Sequence, residues 1–252
     1  MNLITLNIWG GRVKETIPAF FASKQDTDIW CFQEILNHKG TELATKDMVQ
    51  VQGFQPDTEL LTSLEGYLPQ CKGIFCPVFR GVYGIAAFLK KGIKVIDSGD
   101  VLIAKGDWDR EHPEKDHDRK IMWMKLSVDG KEFLLVNGHL THRPEGKEDS
   151  EKRIAQSQTI IDFLKTSDLP KILVGDFNLM PHTQSIKMIE DSGMINLIKK
   201  YNIESTRTEL YKKQWKFADY IFVSPEIKVN DFKVLPDVVS DHCPLFLDFE
   251  VI

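Results

Sequence analysis

Apolar positions along this chain fall into short blocks, most of them the length of a strand. Residues 3–8 alternate and deliver Asn7 and Trp9 ahead of a Gly10-Gly11 turn. Asp28-Ile29-Trp30-Cys31-Phe32 is an apolar run too short for a helix, and it leads into Gln33-Glu34. Residues 67–90 predict strands with turns at Gly73 and Gly81, clearest over 84–89, and residues 93–103 predict another. Residues 121–128 and 131–140 flank Asp129-Gly130, a dipeptide suited to a tight hairpin, and the second arm ends in Asn137-Gly138-His139-Leu140-Thr141-His142. Ile172, Leu173 and Val174, between Pro170 and Gly175, fit a strand buried on both faces. Asp176 and Asn178 follow where that strand emerges, on one side by alternation. Residues 217–223 carry Asp219 early in a strand, 226–235 predict a further one, and 245–249 close the chain after Ser240-Asp241-His242-Cys243-Pro244.

Helical spacing is confined to a few segments. Residues 15–24 place Ile17, Phe20 and Phe21 on one side, with Pro18 in the first turn where a missing N–H is harmless. Residues 41–52 predict a weakly amphipathic helix, residues 147–165 one with Ile154, Ile160, Ile161 and Leu164 as its apolar members, and residues 184–191 one stopped by Gly193. The polar stretch 105–120 predicts a solvated loop, with a second metal site or a substrate lid as the alternatives. The mixture of strands and helices gives an α/β or α+β fold, and no composition break divides the 252 residues, so a single domain over 1–252 is expected.

Composition narrows the function classes. At 42% hydrophobic and 27% charged the chain is of ordinary globular type, and its net charge of −5 argues against coating nucleic acid through bulk charge while allowing a local basic groove. No apolar run approaches a membrane span and the N-terminus lacks the pattern of a signal peptide, so a cytoplasmic monomer without stable membrane insertion is expected. Cys31, Cys71, Cys76 and Cys243 are scattered among apolar residues, which suits reduced thiols better than a disulfide scaffold.

The candidate chemistry lies where strands end. Asn7, Glu34, His139, Asp176, Asn178, Asp219, Asp241 and His242 all stand at or near the ends of apolar runs. Any one of them also fits a cap, a turn or a satisfied buried polar group. Together, oxygen donors without neighbouring cysteines favour a hard cation such as Mg²⁺ or Mn²⁺, and the histidines add groups that titrate near neutral pH.

The order of these motifs resembles the endonuclease/exonuclease/phosphatase superfamily, which includes DNase I, exonuclease III-type nucleases, deadenylases, neutral sphingomyelinases and inositol polyphosphate 5-phosphatases. The resemblance rests on Leu6-Asn7, Gln33-Glu34, Asn137-Gly138-His139-Leu140, Gly175-Asp176-Phe177-Asn178, Ala218-Asp219-Tyr220-Ile221 and Ser240-Asp241-His242, and so spans nearly the whole chain. It implies a four-layer α/β sandwich, two mixed sheets packed face to face with helices outside. It further implies a Mg²⁺- or Mn²⁺-dependent phosphoesterase, with Glu34 the principal metal ligand, Asn7 beside it and Asp241 contributing. Asp176 and Asn178 would position the attacking water, with Asp176 a candidate base. His242 would contact the scissile phosphate as base or cation, oriented by Asp219, and His139 would protonate the leaving oxygen. That histidine sets the chain apart from abasic-site endonucleases of the exonuclease III type. His38, His112, His117, His142 and His182 match no position of the pattern.

The substrate side is the least specified. Arg119 adds positive charge near the phosphate or is a surface arginine. Tyr211-Lys212-Lys213-Gln214-Trp215-Lys216 alternates cations with aromatics, and this segment, Lys216 included, suits a nucleic-acid backbone, an anionic head group, or simply a solvated loop with a packed Trp. A phosphodiester of DNA, RNA or a nucleotide is the expected substrate. Phospholipid head groups, inositol phosphates and small phosphometabolites are the alternatives, with a catalytically silent binding module as the reading from another class.

Overall fold

The structure is a computed structural model that describes residues 1–37, 47, 57–112, 115–142 and 146–252. Among the described residues twelve strands form two six-stranded sheets. The first contains β1 (Asn2–Asn7), β2 (Ile29–Leu36), β3 (Cys71–Phe79), β4 (Tyr83–Lys90), β11 (Ile227–Val234) and β12 (Leu245–Val251), in the order β11-β12-β1-β2-β4-β3. The second contains β5 (Lys94–Ala104), β6 (Arg119–Val128), β7 (Lys131–His139), β8 (Lys171–Asp176), β9 (Ile195–Asn196) and β10 (Asp219–Val223), in the order β5-β6-β7-β8-β10-β9. Each sheet has one parallel pair at its centre, β1 with β2 and β7 with β8, and antiparallel pairs elsewhere.

Alternation explains the layering. In the first sheet Ile4, Leu6, Trp30 and Phe32 turn outward, onto Ile17, Phe20 and Phe21 of α1 (Ile17–Ser23) and Leu60, Leu61 and Leu64 of α2 (Leu60–Tyr67). Leu3, Ile29 and Cys31 turn inward and join the core shared with Leu135, Val136, Leu173 and Val174 of the second sheet. The other face of that sheet is covered by α3 (Glu151–Leu164) and α4 (Gln184–Asp191), and the short α5 (Leu197–Lys200) follows β9. The result is the four-layer sandwich, helix, sheet, sheet, helix, that the resemblance implied.

Several boundaries differ from the sequence reading. Gly73 lies inside β3, not in a turn, with the Phe88 ring against it, whereas Gly81 is a turn glycine at φ +75°. Residues 60–67 form α2, which the short apolar cluster did not reveal. The helix expected from residue 147 begins at Glu151, because Ser150 takes the N-cap and accepts from Arg153 N at 3.3 Å. Asp149 instead caps α4, accepting from Gln184 N at 2.6 Å and Ser185 N at 3.0 Å. The helix expected over 41–52 falls outside the described residues save Asp47. All four cysteines are free thiols. No helix among the described residues is long and apolar enough to cross a membrane.

Candidate active site

Sheet register assembles the site. Asp219, Asp176 and His139 face one another across β10, β8 and β7, since Asp176 pairs with Asp219 on one side and His139 on the other. One position earlier, Gly138 faces Gly175, and a side-chain carbon at Gly175 would lie 2.0 Å from the Gly138 carbonyl oxygen. Gly175 also has φ +136°, so only glycine lets the two strands close here and bring His139 beside Asp176.

The first sheet contributes through a bulge. Between the Phe32–Ala86 and Ile35–Gly84 pairs, β2 carries two residues where β4 carries one, and Glu34 takes the left-handed conformation at φ 61°. This extra residue re-aims Glu34 to the rim. There Asn7 Nδ2 donates to Glu34 Oε1 and to Asp176 Oδ2, both at 3.0 Å, joining the two sheets across the site. Asn7 Oδ1 accepts from Trp9 N at 2.9 Å.

Beneath lies a buried clasp. Asn137 Nδ2 donates to the carbonyls of Phe32 at 3.2 Å and Ala86 at 3.1 Å, and its Oδ1 accepts from Gln33 Nε2 at 2.7 Å. A side chain of the second sheet therefore holds the bulge of the first.

Electrostatics divide the carboxylates. Burial favours the protonated form of Asp176, but His242, Lys147, His139 and Arg207 outweigh it and hold its carboxyl well below the usual range. Burial dominates at Glu34 and pushes it up to about 7, and its Oε2 is buried with no hydrogen-bond partner among the described residues. His242 Nδ1 sits 2.8 Å from both Asp219 oxygens. Burial and Arg207 push the imidazole of His242 down, while Asp219, Asp241 and Asp176 together lift it above its ordinary value. His139 goes the other way, held neutral by burial and by Arg119. Both imidazole Nε2 atoms approach Asp176 Oδ2, His139 at 3.6 Å and His242 at 3.7 Å.

Asn178, at φ 56°, donates from its backbone N to Asp176 Oδ1 at 2.9 Å and from Nδ2 to the Leu140 carbonyl at 3.2 Å. Asp241 accepts from Arg207 Nη1 at 3.0 Å. Arg119 is buried rather than on the surface, paired with Asp116 at 2.8 Å, and its charge still reaches His139. Lys216 lies on the exposed strip before Asp219, and its carbonyl accepts from Thr206 N at 2.8 Å. Of the unmatched histidines, His38 falls outside the described residues, His112 and His182 are exposed, His117 is buried, and exposed His142 approaches Arg119 Nη2 with Nδ1 at 3.3 Å.

Three groups of the site were not singled out by sequence. Lys147 is buried, donates to Asn178 Oδ1, and is pushed down to about 8 by burial. Arg207 stacks 4.0 Å over Tyr211 and bridges to His242 through an isolated β-bridge. Tyr83 places its hydroxyl 3.4 Å from His139 Nδ1. Lys147 was absorbed into a helix start and Arg207 lies in a Thr-Arg-Thr stretch without periodicity, so neither had a signal. Tyr83 directly precedes the strand run 84–89 and reads as part of it.

The donor set fits a divalent cation. Among the described residues Asp176, Asp219 and His242 have possible ligand atoms within 4.8 Å of one another, but His242 already occupies both Asp219 oxygens. The buried Oε2 of Glu34 is the carboxylate oxygen of the site without a hydrogen-bond partner among the described residues, and an oxygen donor beside further carboxylates suits a hard cation.

Comparison with known proteins agrees with this architecture. A mannosyl-6-phosphatase from Bacteroides thetaiotaomicron superposes with a TM-score of 0.75 at 20% identity, covering 99% of each chain. The human Nocturnin catalytic domain with bound sulfate gives 0.66 at 20% identity, over 100% of this chain and 93% of that one. TDP2 from D. rerio in complex with a single-stranded DNA product gives 0.71 at 13% identity, over 99% and 98%. Among curated protein sequences none matches significantly. The sequence pattern of the endonuclease/exonuclease/phosphatase family matches residues 4–242, and the chain belongs to that family.

Proposed function

We propose that this chain is a divalent-cation-dependent phosphoesterase that hydrolyses a P–O bond by in-line attack of water. The observation that carries this reading is the meeting of a bare Glu34 oxygen from one sheet with an ionised Asp176, flanked by two imidazoles, from the other. Glu34 and Asp241 would hold a Mg²⁺ or Mn²⁺ ion, with Asn7 steadying Glu34 through its amide nitrogen. Such an ion supplies Lewis acidity, acidifying water and neutralising charge on phosphoryl oxygens.

The chain's own groups divide the remaining work. Asp176 is too acidic in this setting to be a strong base, and it orients the water through an accepted hydrogen bond, itself held by Asn178 N. His242, kept charged by the Asp219 carboxylate, donates from Nε2 to a phosphoryl oxygen and so acts as the phosphate-holding cation. Neutral His139 offers an N–H to the leaving oxygen. Lys147 locks the Asn178 amide at one end while the Leu140 carbonyl holds the other.

What supports a small phosphoester over the nucleic-acid diester expected from sequence is the state of the 211–216 segment. Lys212 Nζ donates to the Glu209 carbonyl at 2.7 Å, and the Trp215 ring packs against Gly146. The segment is thus anchored as a wall beside Lys147. A panel of single- and double-stranded DNA, RNA, inositol phosphates, hexose phosphates and p-nitrophenyl phosphate, assayed with Mg²⁺, Mn²⁺ and EDTA, tests the proposal. Metal-dependent turnover abolished in His242→Ala and Glu34→Gln is the expected result; turnover that persists in EDTA or in both variants would refute it.

A further inference from the structure

Two imidazoles share one carboxylate oxygen, and they differ in what stands behind them. His139 Nε2 lies 3.6 Å and His242 Nε2 3.7 Å from Asp176 Oδ2. Behind His242, Nδ1 meets the Asp219 carboxylate at 2.8 Å. Behind His139, Nδ1 meets the Tyr83 hydroxyl at 3.4 Å, a phenol in place of a carboxylate.

The backbone aims Tyr83 at this position. It opens β4 between two irregular neighbours: β2 gains a residue between the Phe32–Ala86 and Ile35–Gly84 pairs, and β3 gains one between the Pro77–Gly84 and Phe79–Tyr83 pairs. Such bulges bend a strand pair locally and re-aim its side chains. A side-chain carbon at Gly84 would lie 2.0 Å from the Cys76 carbonyl oxygen, so glycine is what lets β3 close on β4 beside the tyrosine. The Tyr83 ring is buried with Leu36, Phe79 and Val82, and the His117 ring stands nearly perpendicular to it, with centroids 5.5 Å apart at 81°.

A neutral imidazole carries one hydrogen on two nitrogens, and its surroundings choose which. Burial and the Arg119 charge keep His139 neutral. Ionised Asp176 can only accept, so a lone pair on Nε2 would face negative charge, whereas an N–H there is attracted. With the hydrogen on Nε2, Nδ1 is an acceptor, and the Tyr83 hydroxyl is the donor that matches it. The other tautomer would turn a lone pair toward Asp176 and toward the reacting phosphate.

We infer that Tyr83 is a positioning residue that holds His139 in the tautomer with hydrogen on Nε2, and so directs an N–H at the leaving oxygen of an alkyl phosphoester. The inference rests on the phosphoesterase reading above. Charge that builds on an alkoxide gains most from a donated hydrogen bond, whereas p-nitrophenolate spreads its charge over the ring and gains little. Neither side chain changes its proton count. Water oxygen bonds to phosphorus, the bond from phosphorus to the alcohol oxygen breaks, and that oxygen ends with the proton that water loses.

The test uses the full chain with Tyr83→Phe, which keeps the ring and removes only the hydroxyl. The His139 tautomer is read in EDTA from the imidazole ¹⁵N and ¹³C shifts, assigned by their absence from His139→Gln, and this measurement needs no turnover. The expected result is hydrogen on Nε2 in the wild type and a shift toward the Nδ1–H form in the folded variant. In Mg²⁺, kcat of Tyr83→Phe should fall ~10-fold or more on hexose and inositol phosphates and less than ~3-fold on p-nitrophenyl phosphate, with KM little changed. In the His139→Gln background the same substitution should add no further loss. Hydrogen on Nδ1 in the wild type, a tautomer indifferent to Tyr83→Phe, or equal losses on alkyl and p-nitrophenyl esters would overturn the assignment. A tautomer that depends on Tyr83 in a protein without metal-dependent turnover of any ester would overturn the phosphoesterase reading and leave the hold of Tyr83 on His139 standing.

Discussion

Asn137→Leu removes the side chain that fastens the Glu34 bulge to the opposite sheet, at nearly constant volume. Three hydrogen bonds are lost, those to Phe32 O, Ala86 O and Gln33 Nε2, all fully buried. A buried hydrogen bond contributes about 1 kcal/mol net, and a partner left unpaired in the interior costs about 1–3 kcal/mol. The substitution should therefore destabilise the protein by about 3–5 kcal/mol, a large share of the roughly 5–15 kcal/mol that holds a typical domain folded. Urea unfolding followed by tryptophan fluorescence in EDTA measures it, and the midpoint should fall by more than ~1 M for an m value of about 3 kcal/mol/M. Because Phe32 lies two residues before Glu34, Mn²⁺ affinity of the folded variant should fall as well. Thr141→Val, which removes the Thr141 hydroxyl and with it the buried bond it accepts from Gln156 Nε2 at 3.3 Å, serves as the comparison that should leave Mn²⁺ affinity alone. A loss of under about 1 kcal/mol, with unchanged Mn²⁺ affinity, would refute the idea that the clasp sets the bulge.

Other outcomes follow from the same geometry. Arg119→Met leaves Asp116 buried with Lys152, at 3.8 Å, as its remaining lysine or arginine ion pair among the described residues, so it should cost about 3–5 kcal/mol, and the Arg119→Met/Asp116→Leu pair should recover most of that in the same unfolding assay. Gly175→Ala drives a methyl into the Gly138 carbonyl at a positive φ, and thermal unfolding should show the variant severely destabilised or insoluble; a wild-type Tm would contradict the close approach of β7 and β8. Lys147 loses its proton near pH 8 in the folded protein and near ~10.4 when unfolded, so the unfolded chain binds the extra proton between those values. Stability in EDTA should rise by up to ~1.4 kcal/mol per pH unit from pH 8 to 10 relative to Lys147→Met, and parallel profiles would remove the burial argument.

Strand ends were the legible part of this molecule. Runs such as Ile172-Leu173-Val174 are buried on both faces, and a chain that must emerge from such a run into polar residues marks its own terminus. That is why Asn7, His139, Asp176 and Asp219 fall at strand termini as read from the sequence, whereas Glu34 lies inside β2, which runs on to Leu36, and reaches the rim only through a bulge that no apolar run announces. Helix starts were less legible: Asp149 and Ser150 both suit an N-cap, and only the packing of α4 decides that Asp149 serves that helix. The cations were illegible for a different reason. Lys147 and Arg207 come from loops, where no period constrains position, and their burial depends on Asn178 and Asp241 arriving from distant parts of the chain. Arg119 was visible, but its partner Asp116 was hidden among the many charges of the 105–120 stretch.

The alignment of His139, Asp176 and Asp219 across three neighbouring strands makes their spacing a property of hydrogen-bond registration, with the interstrand repeat of about 4.8 Å as its gauge. Loop chemistry around the site is free to drift, since lengthening or recolouring a connection leaves that gauge unchanged. A one-residue slip in β8 would instead turn Asp176 to the opposite face and strand both imidazoles without their shared carboxylate. Variants that broaden substrate choice are thus to be sought in the connections, and a library that inserts or deletes single residues within these three strands should yield folded but inert proteins at best.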